Sequence, residues 1–283
     1  MRLARSFPSA GPERQRIAVG QGGRCFERGH AHRQCAAYTA HVTSRDAWQR
    51  RLGPLYGGAV ALVHSTPWRW PTEVSGDPRA AGWLVALGIP VGVVAWAVAA
   101  LFHAAGLPTT IAALVGLAAL SFASSALVER GLAERIDHWD GPPRTPGVAS
   151  LLVIVFVTLV RAAAIVALPP TRWLAVLVAT AVVGRWSAMF IQALGDPISQ
   201  DDERRSLVAA PAPAWLVAAI SIGVAVVTIL AIGKPGILAL AIGAISAFAL
   251  GLEAQRRDGR LSSPAVATVA AVGELAVLLI ATI

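Results

Sequence analysis

The chain has 283 residues, of which 55% are hydrophobic and only 14% charged, with a mean hydropathy of +0.62. Soluble domains carry about 25% charged residues, and a water-soluble fold of this length has nowhere to bury so much apolar surface. Disordered, collagen-like and disulfide-scaffold classes fail on the same composition, so the fold class expected is all-α, a polytopic bundle of transmembrane helices.

The formal net charge of +8 is concentrated at the N-terminus. Residues 1–53 hold ten Arg against three acids, a net of +7, which leaves +1 for the rest of the chain. The basicity belongs to a tail and not to a folded basic face, so nucleic-acid binding is not expected. The tail has little apolar periodicity and no apolar h-region of a secretory signal. We read residues 1–53 as a disordered tail, or as the product of a start codon assigned too far upstream, ahead of a single transmembrane domain over 54–283. Cys25, His30, His32 and Cys35 in the tail have the spacing C-x4-H-x-H-x2-C. Four such ligands suit tetrahedral zinc, but the spacing matches no common zinc module and no apolar cluster surrounds it. Both cysteines lie there, so disulfides do not hold the apolar region together.

Segment 55–67 is too short to span and ends at Pro67-Trp68-Arg69-Trp70-Pro71, residues suited to the headgroup layer. It is expected to be interfacial or re-entrant. Seven runs then approach the roughly 20 residues a spanning helix needs: 82–104, 108–128, 147–169, 172–195, 212–232, 235–252 and 264–283. Alternate connections, over 129–146, 196–211 and 253–263, carry Arg130, Arg135, Arg144, Arg204, Arg205, Arg256, Arg257 and Arg260. The opposite connections carry Arg172 and Lys234 alone. Eight against two predicts that the long charged loops are cytoplasmic. Gly88 and Gly92, and Gly243, Ala247 and Gly251, have the spacing of close helix packing.

Charged side chains at membrane depth are functional candidates by default. Arg161 and Arg185 sit in the middle of their runs, and Glu274 is the one deep acid. Two readings compete: Glu274 pairs with an arginine to hold the bundle together, or the arginines bind substrate phosphates with bidentate geometry. Arg185 lies about 15 Å from the cytoplasmic end of its helix at 1.5 Å per residue. Gln192 lies near a run end, and His103 is expected at the outer interface.

The stretch Ala126-Leu127-Val128-Glu129-Arg130-Gly131-Leu132-Ala133-Glu134-Arg135-Ile136-Asp137-His138, with Asp140 beyond it, gathers acids where an apolar run leaves the membrane. Such carboxylates can hold Mg²⁺, which in turn binds a pyrophosphate. On a helix Glu129 and Asp137 lie about 80° apart, with Glu134 about 60° further round. Arg130 points between them, and a salt-bridged helix end explains the pattern equally well.

This stretch resembles the cobalamin synthase family at its pattern L-H-x-D-G-L-A-D-T-A-D-G, through Leu127, Gly131, Leu132, Ala133 and Asp137, with Glu134 in place of an Asp. Gly184-Arg185-Trp186-Ser187 resembles the family's G-R-W-[AS], and Arg161 falls where a basic residue interrupts the preceding helix. Gly259-Arg260-Leu261-Ser262 followed by Glu274-Leu275 resembles a worn form of the late G-G-x-[TN]-G-D element and its acid-bearing final helix. The likeness covers about residues 58–283. It implies a multi-pass, Mg²⁺-dependent enzyme of a bacterial inner membrane. Such an enzyme transfers the phospho-cobinamide moiety of adenosylcobinamide-GDP to α-ribazole or its 5′-phosphate and releases GMP. The resemblance makes Glu129, Glu134 and Asp137 the catalytic, metal-holding acids, and Arg144, Arg161 and Arg185 the substrate-binding residues. A homo-oligomer is compatible with it.

The departures are Val128 for His, Arg130 for Asp, Pro264 for the late Asp, Ala271 for an acid, and a basic element compressed to Arg144-Thr145-Pro146-Gly147. They support a second reading, a non-catalytic relative that keeps the bundle and binds a corrinoid or a partner. A third, a small-molecule transporter, lacks an internal repeat and a polar path. Mg²⁺ beside Glu129 and Asp137 would favour the enzyme; Arg130 locked on Glu134 or Asp137 would favour the second reading.

Overall fold

A computed structural model describes residues 47–68, 80–137, 147–195, 212–259 and 261–283. The tail with its Cys and His residues lies outside the described residues. Among those described every regular element is helical: α1 (Tyr56–Ser65), α2 (Ala80–Ala86), α3 (Gly88–Ala104), α4 (Thr109–Ala123), α5 (Leu127–Asp137), α6 (Val148–Val166), α7 (Trp173–Leu194), α8 (Ala214–Ile232), α9 (Gly236–Asp258) and α10 (Ser263–Ile280), with 3-10 turns at Gly53–Leu55 and Pro170–Arg172.

Six helical stretches are long and apolar enough to cross a membrane, with α2 and α3 together forming one of 25 residues; α4 with α5 makes a seventh if that bent pair is one span. The chain is a multi-pass membrane protein. At ten residues α1 is too short to span. It packs on α2, with the Trp83 ring 3.2 Å from where a Cβ on Gly58 would lie.

Helix α7 is the axis of the bundle. Val176, Ala179, Ala181, Val183, Ser187, Ala188 and Ile191 are fully buried, and α10, α3, α8, α9 and α2 surround it. Glycines admit α3 to that axis. A Cβ on Gly92 would lie 2.5 Å from Cα of Val178, and one on Gly88 2.8 Å from Cα of Val182, so the two backbones touch along one face. The outer helices turn the opposite way. Leu151, Leu152, Phe156 and Leu159 of α6, Ile222 and Leu230 of α8, and Ile245 and Phe248 of α9 are exposed. Water would not tolerate an apolar surface of that extent, whereas lipid does.

The run 108–128 is not the continuous helix expected from it. The chain breaks at Ser124-Ser125-Ala126 and turns through 83° into α5. Ser125 and Ala126 both sit in the left-handed region, at φ 54° and 50°. Two successive non-glycine residues there cost about 1–2 kcal/mol each. The turn is held by hydrogen bonds: the N–H groups of Ser124, Ser125, Ala126 and Leu127 donate to the carbonyls of Leu120, Phe122, Ser121 and Ser124. The run 235–252 is longer than expected, since the helix continues to Asp258. It stops at Gly259, whose left-handed φ of 71° suits a residue without a Cβ.

Candidate functional site

Four successive residues of α7 point in four directions, about 100° apart, and each meets a different element. Gly184 faces α10, where Cγ of Glu274 stands 2.5 Å from the place of a Cβ. Arg185 reaches the α4–α5 break: its Nη2 donates to Oγ of Ser124 at 3.0 Å and its Nη1 to the Ala181 carbonyl at 3.2 Å. Trp186 donates from Nε1 to Oγ of Ser221 on α8 at 2.9 Å. Ser187 lies between Gly243 of α9 and Gly273 of α10, 3.0 and 2.6 Å from where their Cβ atoms would be. The Gly-Arg-Trp-Ser order is thus a packing code as well as a chemical one.

Arg161 joins α6 to two other elements. Its Nη2 lies 2.8 Å from Oε2 of Glu274, off line for a hydrogen bond, and both side chains are 4% exposed. Its Nη1 lies 3.4 Å from Oε1 of Glu129 at the start of α5, the same oxygen that accepts a 2.6 Å hydrogen bond from Oγ of Ser121. Two guanidinium groups and two carboxylates are therefore sequestered together, with formal charges that cancel. Polar valence is left over: Nε of Arg161, Nε of Arg185, Oε2 of Glu129, and the hydroxyls of Ser125 and Ser187 have no partner among the described residues. Of the two readings of Glu274, the geometry realises the pairing with an arginine, and that arginine is Arg161. Arg185 is the one turned to the break.

The remaining acids of α5 point elsewhere. Glu134 pairs with Arg130 one turn back, at 3.7 Å on a half-exposed face. Asp137 accepts the Gly147 N–H at 3.0 Å and so ties the end of α5 to the start of α6. Between them Arg135 forms an ion pair with Glu253 of α9. Among the described residues no three His, Cys, Asp or Glu side chains are grouped to hold a metal ion. Glu129, Glu134 and Asp137 are each engaged by a different partner.

Arg144 and Asp140 lie outside the described residues, as do the acids at 201–203. His103 is far along the chain from this cluster and meets the Trp173 ring at 5.4 Å, tilted by 59°, at the opposite end of α7. Gln192 donates to the Ala188 carbonyl of its own helix. Sequence reasoning did not single out Ser121, Ser124 or Ser125. The signal available was three hydroxyls within five residues of an otherwise apolar run, Ser121-Phe122-Ala123-Ser124-Ser125.

A family model described as cobalamin-5-phosphate synthase matches residues 60–282. No curated protein and no solved structure matches the chain.

Proposed function

The chain belongs to the cobalamin-5-phosphate synthase family, a family of cobalamin biosynthesis, and on that premise we propose that it transfers phospho-cobinamide from adenosylcobinamide-GDP to α-ribazole or α-ribazole 5′-phosphate. A ribose hydroxyl of the acceptor attacks the phosphorus borne by the cobinamide. The new P–O bond forms as the bridging P–O bond to GMP breaks, and the hydroxyl proton leaves to solvent or a base. When the acceptor is the 5′-phosphate, its 5′-oxygen is already esterified and another ribose hydroxyl must attack. The observation that carries this reading is the buried guanidinium of Arg185, with Nε unpartnered and Nη2 at the α4–α5 break. A fork-shaped cation with spare donors in a dry site suits the charge that develops on a transferred phosphoryl group. Arg144 would add a second such cation.

The long charged loops would then face the cytoplasm of a bacterial cell, where nucleotide-activated substrates are made. The family implies Mg²⁺. Asp137 precedes Asp140 by three residues in the chain, so Mg²⁺ dependence is the first variable to titrate. The test is a transferase assay on membranes holding the expressed protein, supplied with adenosylcobinamide-GDP, α-ribazole and Mg²⁺. GMP and corrinoid product are followed against a Glu129→Ala, Asp137→Ala control. Product that disappears in the control supports the reading; no product from well-inserted protein overturns it.

One observation favours the second reading, a relative that keeps the fold without the reaction. Arg130 occupies the position of a family acid and pairs with Glu134. An exposed pair at i,i+4 is worth only about 0.3–0.5 kcal/mol, however, and would yield to a metal ion.

A further inference from the structure

We infer that Glu274 is a positioning residue that acts through Arg161 on Glu129, and so fixes the direction in which α5 leaves the break. The inference deepens the transfer reading and rests on it for its kinetic consequence. Glu274 belongs to α10, and the guanidinium it holds at 2.8 Å also reaches Oε1 of Glu129. Glu129 lies in the first turn of α5, three residues after Ala126.

Nothing local dictates the course of α5. It follows an 83° turn through two left-handed residues that are neither Gly nor Asn. Strained backbone of this kind persists only where its surroundings over-determine it. Three tertiary ties do so: Arg161 on Glu129, Arg135 on Glu253, and Gly131 seated against Ala267 and Pro264. The first continues inward, because Arg161 is also held by the buried Glu274 beneath Gly184. The segment steered in this way carries Glu134 and Asp137.

A plainer role would be charge neutralisation alone, and the two roles separate experimentally. The double variant R161M/E274M removes both charges of the buried pair at once, and with them the contact of Arg161 with Glu129. If Glu274 and Arg161 only cancel one another, the double variant should match the wild type in thermal stability, in deuterium exchange over 127–137 and in kinetics. Positioning predicts recovered stability relative to E274M, but exchange over 127–137 faster by about tenfold or more, with kcat reduced more than KM is raised. Should R161M/E274M fail to assemble, Glu129→Gln is the second probe. It leaves the Arg161–Glu274 pair intact, and faster exchange confined to 127–137 supports the inference. Wild-type exchange in either variant overturns it. The exchange readout does not require turnover: an inactive wild type would sink the transfer reading while leaving this inference to stand or fall on α5.

Discussion

The carboxylate of Glu274 occupies the space that a side chain on Gly184 would fill, with Oε1 2.9 Å and Cγ 2.5 Å from the place of the missing Cβ. A glycine in mid-helix usually costs about 1 kcal/mol relative to alanine. Here that cost admits a buried acid to the axis of the bundle.

Gly184→Ala should therefore destabilise the protein despite its better helix propensity, since Glu274 cannot retreat without leaving Arg161. Gly223 of α8 is the control, because a Cβ there meets nothing within 4 Å. Thermal unfolding in one detergent should give a lower Tm for G184A and an unchanged or higher Tm for G223A. Equal shifts would mean that the Glu274 carboxylate moves aside freely.

Single neutralisation of the buried pair should be severe. Breaking a buried ion pair by removing one partner costs about 3–5 kcal/mol, since the survivor keeps its desolvation without its partner. Both Glu274→Met and Arg161→Met are expected to express poorly or to melt well below the wild type. Melting curves close to wild type would mean that water reaches the pair.

Arg185→Lys tests the fork. Lysine keeps the charge but can satisfy neither the planar geometry nor the contact with Ser124 at the same reach. We expect kcat/KM for the nucleotide-activated corrinoid to fall by about 10- to 100-fold, or roughly 1.4–2.7 kcal/mol, with a smaller change in Tm. Unchanged kcat/KM would remove Arg185 from the substrate.

Arg130→Asp restores the acid that the family pattern has at this position. It abolishes the pair with Glu134 and places a second carboxylate on the same helix face. Like charges so close repel, so the variant should melt lower than wild type without divalent ions and regain stability as Mg²⁺ is added, by ligand linkage. A Tm insensitive to Mg²⁺ in both proteins would show that this face of α5 does not bind the ion.

Much of the architecture was legible because lipid imposes a simple code of long apolar runs separated by breaks. The bend after Ala123 was not legible, because Ser124-Ser125-Ala126 contains neither Gly nor Pro. Part of what holds it is tertiary: the Ser124 hydroxyl accepts a hydrogen bond from Arg185, 61 residues away. The deep charges could be seen as candidates but not matched to partners: pairing of Glu274 with an arginine was one of two readings, and only the fold brings Arg161 to it. The acids of α5 illustrate the opposite difficulty. Their spacing permits a shared face, but Arg130, Arg161 and the Gly147 N–H each claim one of them in the folded chain.

The elbow after α4 has a further consequence for the surrounding lipid. Fifteen residues rise about 22 Å, whereas the hydrocarbon core of a bilayer is about 30 Å thick. Beside α4 the bilayer must thin, or water must descend to meet the turn. Arg161, Arg185, Glu129 and Glu274 then lie close to the floor of a dimple in the membrane, nearer to an aqueous boundary than their positions along the long helices suggest. Acyl-chain length becomes a control on the site: lipids too long for the dimple deepen the hydrocarbon around four polar side chains, and shorter ones relieve it.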